Sequence, residues 1–237
     1  MIPSSTSIFL CGDPHGVFGH IVASVLEHRP AAIILLGDMK CARPLDVELR
    51  DIIGKTQICY IPGNHDTEHA ASYDNLVTSP CENLHGRVLD VAGVRIGGLG
   101  GVFRRKVWNP DAEPEWSAQR SPEAFLRTLG RGNRWRDGLP LRHRSTIFPS
   151  ELDLLARQRA DVLVTHEAPG AHPNGFEALT RLAAGMGVTR AFHGHHHADL
   201  AYADGVWTGV GLRGITALDG TVIVAGVAQP PPRDGQA

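Results

Sequence analysis

The amino-acid sequence predicts an α/β fold in which helices cover a largely parallel sheet. Toward the amino terminus, short apolar runs, each followed by Gly or Pro, alternate with segments of helical periodicity. The runs are nearly continuous in apolar residues, which is typical of strands buried on both faces. With 237 residues, 42% of them hydrophobic, the chain is long enough to bury one sizeable core.

Two β-turn-α units and a third strand are predicted first. The strands cover residues 7–11, 31–36 and 57–61, and the helices cover residues 17–27 and 45–53. In the first helix, Val22, Val25 and Leu26 are spaced as one apolar face. The pattern then changes to two short strands, residues 87–91 and 94–99, which Ala92-Gly93 can join as a tight hairpin.

Residues 102–146 interrupt this pattern, and the core pattern resumes after them. The predicted helices are residues 149–159 and 175–184, and the predicted strands are residues 161–165, 189–193, 199–203, 206–210, 213–218 and 221–226. The final residues have the composition of a flexible tail. We therefore predict one domain, residues 1–227, with an insertion at about 102–146 and a flexible tail at residues 228–237.

Composition and charge narrow the class of protein. The formal net charge of −2 and the sequence pI near 6.7 give no overall attraction to nucleic acid or anionic lipid. No stretch is apolar enough to span a membrane, and the first residues lack the pattern of a secretory signal. The four cysteines are dispersed without CxxC spacing, which argues against a disulfide framework. We expect a soluble, cytoplasmic enzyme with no membrane partner.

Five clusters of metal-ligand residues follow predicted strands. In chain order they are Asp13-Pro14-His15, Gly37-Asp38, Gly63-Asn64-His65-Asp66, His166 and Gly194-His195-His196-His197. Because strand ends share one edge of a sheet, we expect these side chains to gather there. One cluster alone commonly caps a turn, and a histidine run can arise by chance. Five clusters in this order indicate a two-metal hydrolytic site.

The residue types indicate how ions would be held. A mixture of carboxylate, imidazole and amide ligands suits Mn, Fe or Zn better than calcium. Side chains two apart on extended backbone face the same way, so Asp13 and His15 can grip one ion, and His195 and His197 share that arrangement. Asp38 can bridge two ions with its two oxygens. Of the neighbouring histidines, we expect His193 to support the site from behind or to pack in the core, His196 to face the opposite side, and His172 to lie in a solvated loop.

Residues 7 to about 226, which carry these motifs, resemble the calcineurin-like metallophosphoesterase superfamily, whose motifs run DxH, GD, GNH(D/E), H and GHxH. The resemblance implies a central β-sandwich of mixed sheets flanked by helices, with a dinuclear metal site at the strand ends. Two divalent metal ions are implied, Mn²⁺ above all, with Fe, Zn, Ni or Co as alternatives. The implied ligands are Asp13, His15 and His197 for the first ion, Asp38 as the bridge, and Asn64, His166 and His195 for the second.

The resemblance also implies catalytic roles for His65 and Asp66. His65 would protonate the leaving oxygen or bind the substrate phosphate, and Asp66 would orient its imidazole and support its charged form. Two cations that share a water lower its pKa toward neutrality. The predicted nucleophile is therefore a metal-bridging hydroxide that attacks phosphorus in line.

The substrate class is argued from departures within the motifs. The serine/threonine protein phosphatase branch has GDxxDRG and GNHE, whereas this chain has GDMKCAR and GNHD. We therefore favour a small phosphorylated molecule or nucleotide, as a phosphomonoester or phosphodiester. The alternatives are a serine/threonine protein phosphatase, a single-stranded nucleic-acid phosphodiesterase, and a catalytically silent interaction module on the same fold. The sequence does not indicate the number of chains that assemble.

Residues 102–146 are the predicted specificity element. They contain nine arginines and one lysine against five acidic residues, together with Trp108, Trp116 and Trp135. Guanidinium groups bind extra phosphates, and indole rings can stack on bases. The candidate substrate-binding residues are Arg104, Arg105, Arg134 and Arg136. The alternative is an inserted cap with a tryptophan core and a solvated arginine face.

Overall fold

A computed structural model describes residues 8–111 and 120–227. Within them, twelve strands form two six-stranded sheets of mixed direction. The strands are β1 (Ile8–Cys11), β2 (Ala32–Leu35), β3 (Gln57–Tyr60), β4 (Glu82–Asn83), β5 (Arg87–Val91), β6 (Val94–Leu99), β7 (Val162–Thr165), β8 (Arg190–His193), β9 (Leu200–Ala201), β10 (Trp207–Gly209), β11 (Ile215–Ala217) and β12 (Val222–Val224). The helices are α1 (Gly19–His28), α2 (Leu45–Glu48), α3 (Ala70–Val77), α4 (Pro122–Thr128), α5 (Pro149–Ala156) and α6 (Glu177–Met186).

The first sheet has the order β12-β11-β1-β2-β3-β4, and the second has the order β5-β6-β7-β8-β10-β9. Strands β1 to β4 run parallel, as do β6, β7, β8 and β10. Antiparallel strands complete both sheets. The predicted α/β class with a β-sandwich of mixed sheets is confirmed. The simpler expectation of one largely parallel sheet is wrong, because strands β5 to β10 build a second sheet.

The two sheets share an apolar core. Ile8 and Ile34 of the first sheet pack in one cluster with Ile96, Val164 and Phe192 of the second. The outer face of the first sheet is covered by α1 and α2, and that of the second by α5 and α6. Strands β1, β2 and β7 are buried at every residue, as their continuous apolar sequences predict.

Most predicted elements occur within a few residues of their predicted bounds, and the deviations have local causes. Helix α1 buries Ile21, Ser24 and Val25, whereas Leu26 is 45% exposed, so its apolar face is rotated from the predicted one. Helix α2 tightens after its first turn into a 3₁₀ helix, Arg50–Ile52. Helices α3 and α4 and strand β4 are not predicted by the pattern. None of the helices in residues 8–111 and 120–227 has the length and apolar composition that a bilayer span requires.

Candidate metal centre

The predicted ligands lie together because parallel strands end at the same edge of each sheet. Asp13, Asp38 and Asn64 follow β1, β2 and β3 of the first sheet. His166 and His195 follow the adjacent parallel strands β7 and β8 of the second sheet. The two edges adjoin, since the backbone N–H of His195 donates to Asp13 Oδ2 over 2.9 Å. The sandwich therefore joins ligands that are far apart in sequence.

One group of donors contains Asp13, His15, Asp38 and His197, whose ligand atoms all lie within 4.8 Å of one another. His15 Nε2 is 3.2 Å from His197 Nε2 and 3.6 Å from Asp38 Oδ2. Two imidazole nitrogens and a carboxylate oxygen thus converge on one point. The first predicted ligand set is brought together, with Asp38 beside it.

A second group contains Asp38, His166 and His195, again within 4.8 Å. His166 Nε2 lies 3.5 Å from Asp38 Oδ2 and 3.1 Å from Asn64 Oδ1. The other ring nitrogen, Nδ1, lies 2.7 Å from the carbonyl oxygen of Leu36 and can donate to it. A hydrogen bond of this kind fixes the ring and leaves Nε2 free as a ligand. Asp38 belongs to both groups, so it lies where the motifs predict a bridging ligand.

The donor set fits a pair of cations. In each buried carboxylate, one oxygen accepts a backbone N–H: Asp13 Oδ2 from His195, and Asp38 Oδ1 from His65 over 2.8 Å. The other oxygens, Asp13 Oδ1 and Asp38 Oδ2, are buried without a hydrogen-bond partner among the described residues. An unpaired buried carboxylate oxygen is strongly destabilising. Cations at the centre of the two groups would satisfy both oxygens.

The electrostatics of the centre reflect burial. Burial raises the pKa of Asp13 to about 8 and lowers the pKa of His15 to about 4 and of His195 to about 3. Burial would also lower the pKa of His166, but the adjacent Asp38 carboxylate raises it to about 10. The carboxylates of this cluster therefore favour positive charge at the centre.

Five of the ligands have left-handed backbone. The φ angles are 33° at Asp13, 45° at His15, 54° at Asp38, 68° at His195 and 57° at His197. Residues other than Gly seldom adopt this conformation, and it concentrates at functional sites. The expectation that the paired ligands share a face of extended backbone is wrong. They converge because tight left-handed turns aim each side chain separately.

The histidines next to these ligands, His193 and His196, have different surroundings. His193 is buried, with Nδ1 2.8 Å from the carbonyl oxygen of Gly194 and Nε2 2.8 Å from the Tyr202 hydroxyl, as expected for a core residue. The expectation that His196 faces away is wrong. Its ring stacks on His172 with centroids 3.9 Å apart, and it joins one of the possible donor groups.

Two motif glycines allow the ligands to approach. Gly37 has a φ of 112°, and a Cβ there would overlap the His166 ring. A Cβ on Gly63 would overlap the Asp38 carboxylate. These glycines are therefore required by the packing of the site as well as by its turns.

His65 lies at the rim of the centre. Its Nε2 is 4.0 Å from Asp38 Oδ2, and its side chain is 32% exposed. Its ring is also near that of His15, with centroids 5.3 Å apart. His65 is therefore close to the predicted ions yet open to a substrate, which fits the role that its motif implies.

The structure corrects the role predicted for Asp66. Its two oxygens accept the backbone N–H groups of Lys40 and Gly63 over 2.9 and 2.8 Å, so it fastens two ligand loops together. Burial raises its pKa to about 6. The carboxylate beside the His65 imidazole is Glu68, whose Oε1 is 2.8 Å from Nδ1, although outside hydrogen-bonding alignment. Glu68 lies one helical turn after His65, a spacing that the sequence displays.

Glu167 is a second residue that the sequence analysis missed. It is buried, its Oε1 accepts the N–H of Phe103 over 3.2 Å, and its Oε2 is 3.9 Å from His195 Nε2. Burial raises its pKa to about 7. It forms a third possible donor group with His195 and His196. Its position directly after His166 is the only signal in the sequence.

Two of the four arginines predicted to bind substrate have structural partners instead. Arg134 donates to the carbonyl oxygens of Leu126 and Leu129 at the end of α4, over 3.1 to 3.3 Å. Arg136 forms a two-pronged ion pair with Asp74, with distances of 2.6 and 2.8 Å. Both guanidinium groups are occupied in holding this segment together. Their role in substrate binding stays a prediction, and these contacts do not favour it.

The other two arginines differ from each other. Arg105 is exposed, whereas Arg104 is half-buried and donates to Ser145 Oγ over 3.3 Å. Burial lowers the pKa of Arg104, while the charges of Glu167 and Glu68 raise it. Arg104 therefore lies near the two carboxylates that flank His195 and His65.

The ends of residues 102–146 meet, since Val102 and Thr146 pair as an isolated β-bridge. Trp108 packs against Phe103 with ring centroids 5.4 Å apart, and Trp135 packs against Tyr73 at 5.6 Å. Trp116 and residues 228–237 lie outside the described residues. The two described indoles pack on the body of the protein, and the insertion and its role stay predictions.

Two donor groups of carboxylates and imidazoles that share Asp38 lie at the strand ends of an α/β sandwich. This arrangement is typical of hydrolases that use two metal ions. The chain belongs to the calcineurin-like phosphoesterase family, whose profile matches residues 6–199. It is 39% identical over 222 residues to an uncharacterized protein of Haemophilus influenzae, an alignment that covers 92% of this chain and 96% of that protein.

Its fold is similar to that of the crystal structure of TT1561 of Thermus thermophilus, with a TM-score of 0.58 and 15% identity, over 93% of this chain and 98% of that one. Family membership supports a general phosphoester hydrolase activity. The family and the donor groups together indicate a dinuclear metal site.

Proposed function

We propose that this protein hydrolyses a phosphomonoester or phosphodiester of a small molecule or nucleotide, using two divalent cations. The observation that carries the proposal is the position of Asp38. Its Oδ2 has no hydrogen-bond partner in the described part of the chain, and it faces His15 at 3.6 Å on one side and His166 at 3.5 Å on the other. An unpaired buried oxygen between two imidazoles suits a ligand shared by two ions.

Asp13, His15 and His197 would hold one ion, and Asn64, His166 and His195 the other, with Asp38 shared. When bound, two such cations supply Lewis-acid stabilisation of phosphate oxygens and a water of lowered pKa. A set with several imidazoles suits Mn²⁺, Fe, Zn, Ni or Co, and the carboxylate and amide oxygens favour Mn²⁺ among them.

His65 is the proposed general acid. Its imidazole lies between the donor groups and open solvent, where it can reach a leaving oxygen and give it a proton. The Glu68 carboxylate lies 2.8 Å from Nδ1, where it can help to orient the imidazole. Asp66 contributes indirectly, because it fixes the backbone on both sides of the motif.

Arg104 is the proposed contact for a non-bridging phosphate oxygen. Its Nε is buried and has no hydrogen-bond partner within residues 8–111 and 120–227. A guanidinium with an unpaired N–H is suited to bind a phosphate oxygen.

A small substrate is favoured over nucleic acid or phosphoprotein. An extended phosphate backbone requires a track of free cations. Here Arg134 and Arg136 are occupied by helix carbonyls and by Asp74. We further propose that the enzyme works in the cytoplasm, where free thiols persist, because the four cysteines are unpaired and three of them are buried.

The test is an activity screen of the Mn²⁺-loaded protein against p-nitrophenyl phosphate, bis-p-nitrophenyl phosphate and a nucleotide panel. We expect turnover, one oxygen-18 atom from water in the phosphate product, and inversion at phosphorus. Arg104→Met should lower kcat/KM by about tenfold to a hundredfold, whereas Arg131→Met, an exposed arginine of the same segment, should not. A protein that binds two ions per chain but hydrolyses none of these esters would contradict the proposal.

A further inference from the structure

A pocket of about 330 Å³ opens beside His65, between the loop after β2 and the start of α3. Its polar lining includes Lys40, His65, Glu68, Ser72 and Asn75. No phenyl, phenol or indole ring from the described residues lines it. The pocket thus joins the candidate metal centre through one side chain, the imidazole of His65.

The position of His65 between the pocket and the metal centre indicates which part of a substrate the pocket can bind. If His65 protonates the leaving oxygen, the group attached to that oxygen must extend on the His65 side of the phosphorus. The pocket is the concave space on that side, so it is the site for the leaving group. This step rests on the proposed function.

The charges and polar atoms of the pocket indicate an anion. Lys40 is partly buried and forms no ion pair among the described residues. Ser72 Oγ is buried and lacks a hydrogen-bond partner in the same residues. An unpaired cation and an unsatisfied hydroxyl therefore line one small space.

The remaining polar groups do not oppose this assignment. Glu68 already has a neighbour of its own, because its Oε1 is 2.8 Å from His65 Nδ1. Asn75 donates from Nδ2 to the carbonyl oxygen of Cys41 over 3.1 Å. Without an aromatic platform, the pocket offers little to a nucleobase.

We propose that the leaving group of the substrate carries an anionic group, a carboxylate or a second phosphate, and that Lys40 and Ser72 bind it in this pocket. The substrate class is then a phosphate ester of a small acidic alcohol. Lys40 is the residue that distinguishes it from esters of neutral or cationic alcohols.

The test uses phosphonates, whose P–C bond such a hydrolase does not cleave, so that binding is measured independently of turnover. Calorimetry on the Mn²⁺-loaded protein compares 3-phosphonopropionate, propane-1,3-diphosphonate, propylphosphonate and 3-aminopropylphosphonate. The first two ligands separate carboxylate from phosphate as the preferred anion. We expect at least one of them to bind about tenfold more tightly than propylphosphonate, as a charge-assisted contact predicts, and the amine to bind least.

Variants of Lys40 give the decisive comparison. Lys40→Met should abolish the preference for an acidic ligand, Lys40→Glu should reverse it in favour of the amine, and Lys40→Arg should keep it. Lys55→Met is the matched control, because Lys55 donates to the carbonyl oxygen of Asp51 on the surface. The wild type binding all four ligands equally, or Lys40→Met keeping the preference at full metal content, would overturn the inference. Preferential binding by a protein that hydrolyses no ester would instead contradict the proposed function and leave the pocket assignment supported.

Discussion

Asp38→Asn removes the shared ligand and therefore separates metal binding from chemistry. In the variant, the backbone N–H of His65 still has an oxygen to bind at the Oδ1 position, 2.8 Å away. The Oδ2 position, which faces His15 at 3.6 Å and His166 at 3.5 Å, becomes an amide N–H₂. A donor replaces an anion at the point where two cations would meet. Both ions should bind far more weakly.

The size of the effect follows from binding linkage. A ligand at a thousandfold excess over its Kd stabilises the folded state by about 4 kcal/mol. For a chain of this length, about 2–4 °C in Tm corresponds to each kcal/mol. One tightly bound Mn²⁺ should therefore raise the Tm of the wild-type protein by about 8–16 °C, and two ions should raise it further. Asp38→Asn should lose most of this rise, and its turnover should fall by about a thousandfold.

Calorimetric unfolding with and without Mn²⁺, metal analysis and p-nitrophenyl phosphate turnover measure the three effects. His65→Ala should keep both ions and the rise in Tm, yet lose about a hundredfold to ten-thousandfold in turnover. Asp51→Asn, at an exposed carboxylate, is the matched control. If Asp38→Asn retained two ions and the full rise in Tm, the bridging assignment would be refuted. Loss of metal in His65→Ala would show that His65 is a ligand.

Three further predictions concern residues around the centre. Glu68→Gln should lower kcat, because the His65 ring loses the carboxylate that lies 2.8 Å from its Nδ1; an unchanged kcat would assign Glu68 no part in positioning. Arg134→Met should lower the free energy of unfolding by about 1–2 kcal/mol through the exposed carbonyls of α4, with kcat/KM unchanged, and a fall in kcat/KM would restore Arg134 as a substrate contact. Burial, with nearby arginines, lowers the pKa of His143 to about 4, so its protonation favours the unfolded state. Between pH 6.5 and 4.5, the Tm of the wild type should fall more than that of His143→Gln, and equal falls would contradict this reasoning.

The sequence predicts the site well where strand order alone decides the outcome. Asp13, Asp38 and His166 each follow a buried apolar strand, and strands that end at one sheet edge bring them together. Backbone conformation is not visible in such a pattern. The prediction that His195 and His197 face the same way assumes extended backbone, in which side chains alternate between two faces. Both residues have left-handed backbone, so the prediction does not apply to them.

The sequence also does not reveal which side chains contact each other. Asp66 directly follows His65 in the sequence and is therefore predicted to be the partner of the imidazole. In the structure its carboxylate instead accepts backbone N–H groups. Glu68, three residues on in the short 3₁₀ turn that begins at His65, is placed beside the imidazole instead. The partner of Arg136 is Asp74 on α3, a helix whose weak apolar pattern gives no prediction at all. Residue types that bind metals or catalyse reactions therefore predict the location of a site more reliably than they predict which side chains contact each other.

The left-handed backbone of the ligand turns has a consequence for redesign of this chain. Each such conformation at a residue other than glycine costs about 1–3 kcal/mol, and it occurs at Asp13, His15, Asp38, His195 and His197. A directed-evolution experiment that rewards heat resistance of the metal-free protein alone would drift toward glycine at these positions. The resulting variants would be more stable but would lack the metal ligands. Stability engineering should therefore keep these five side chains unchanged.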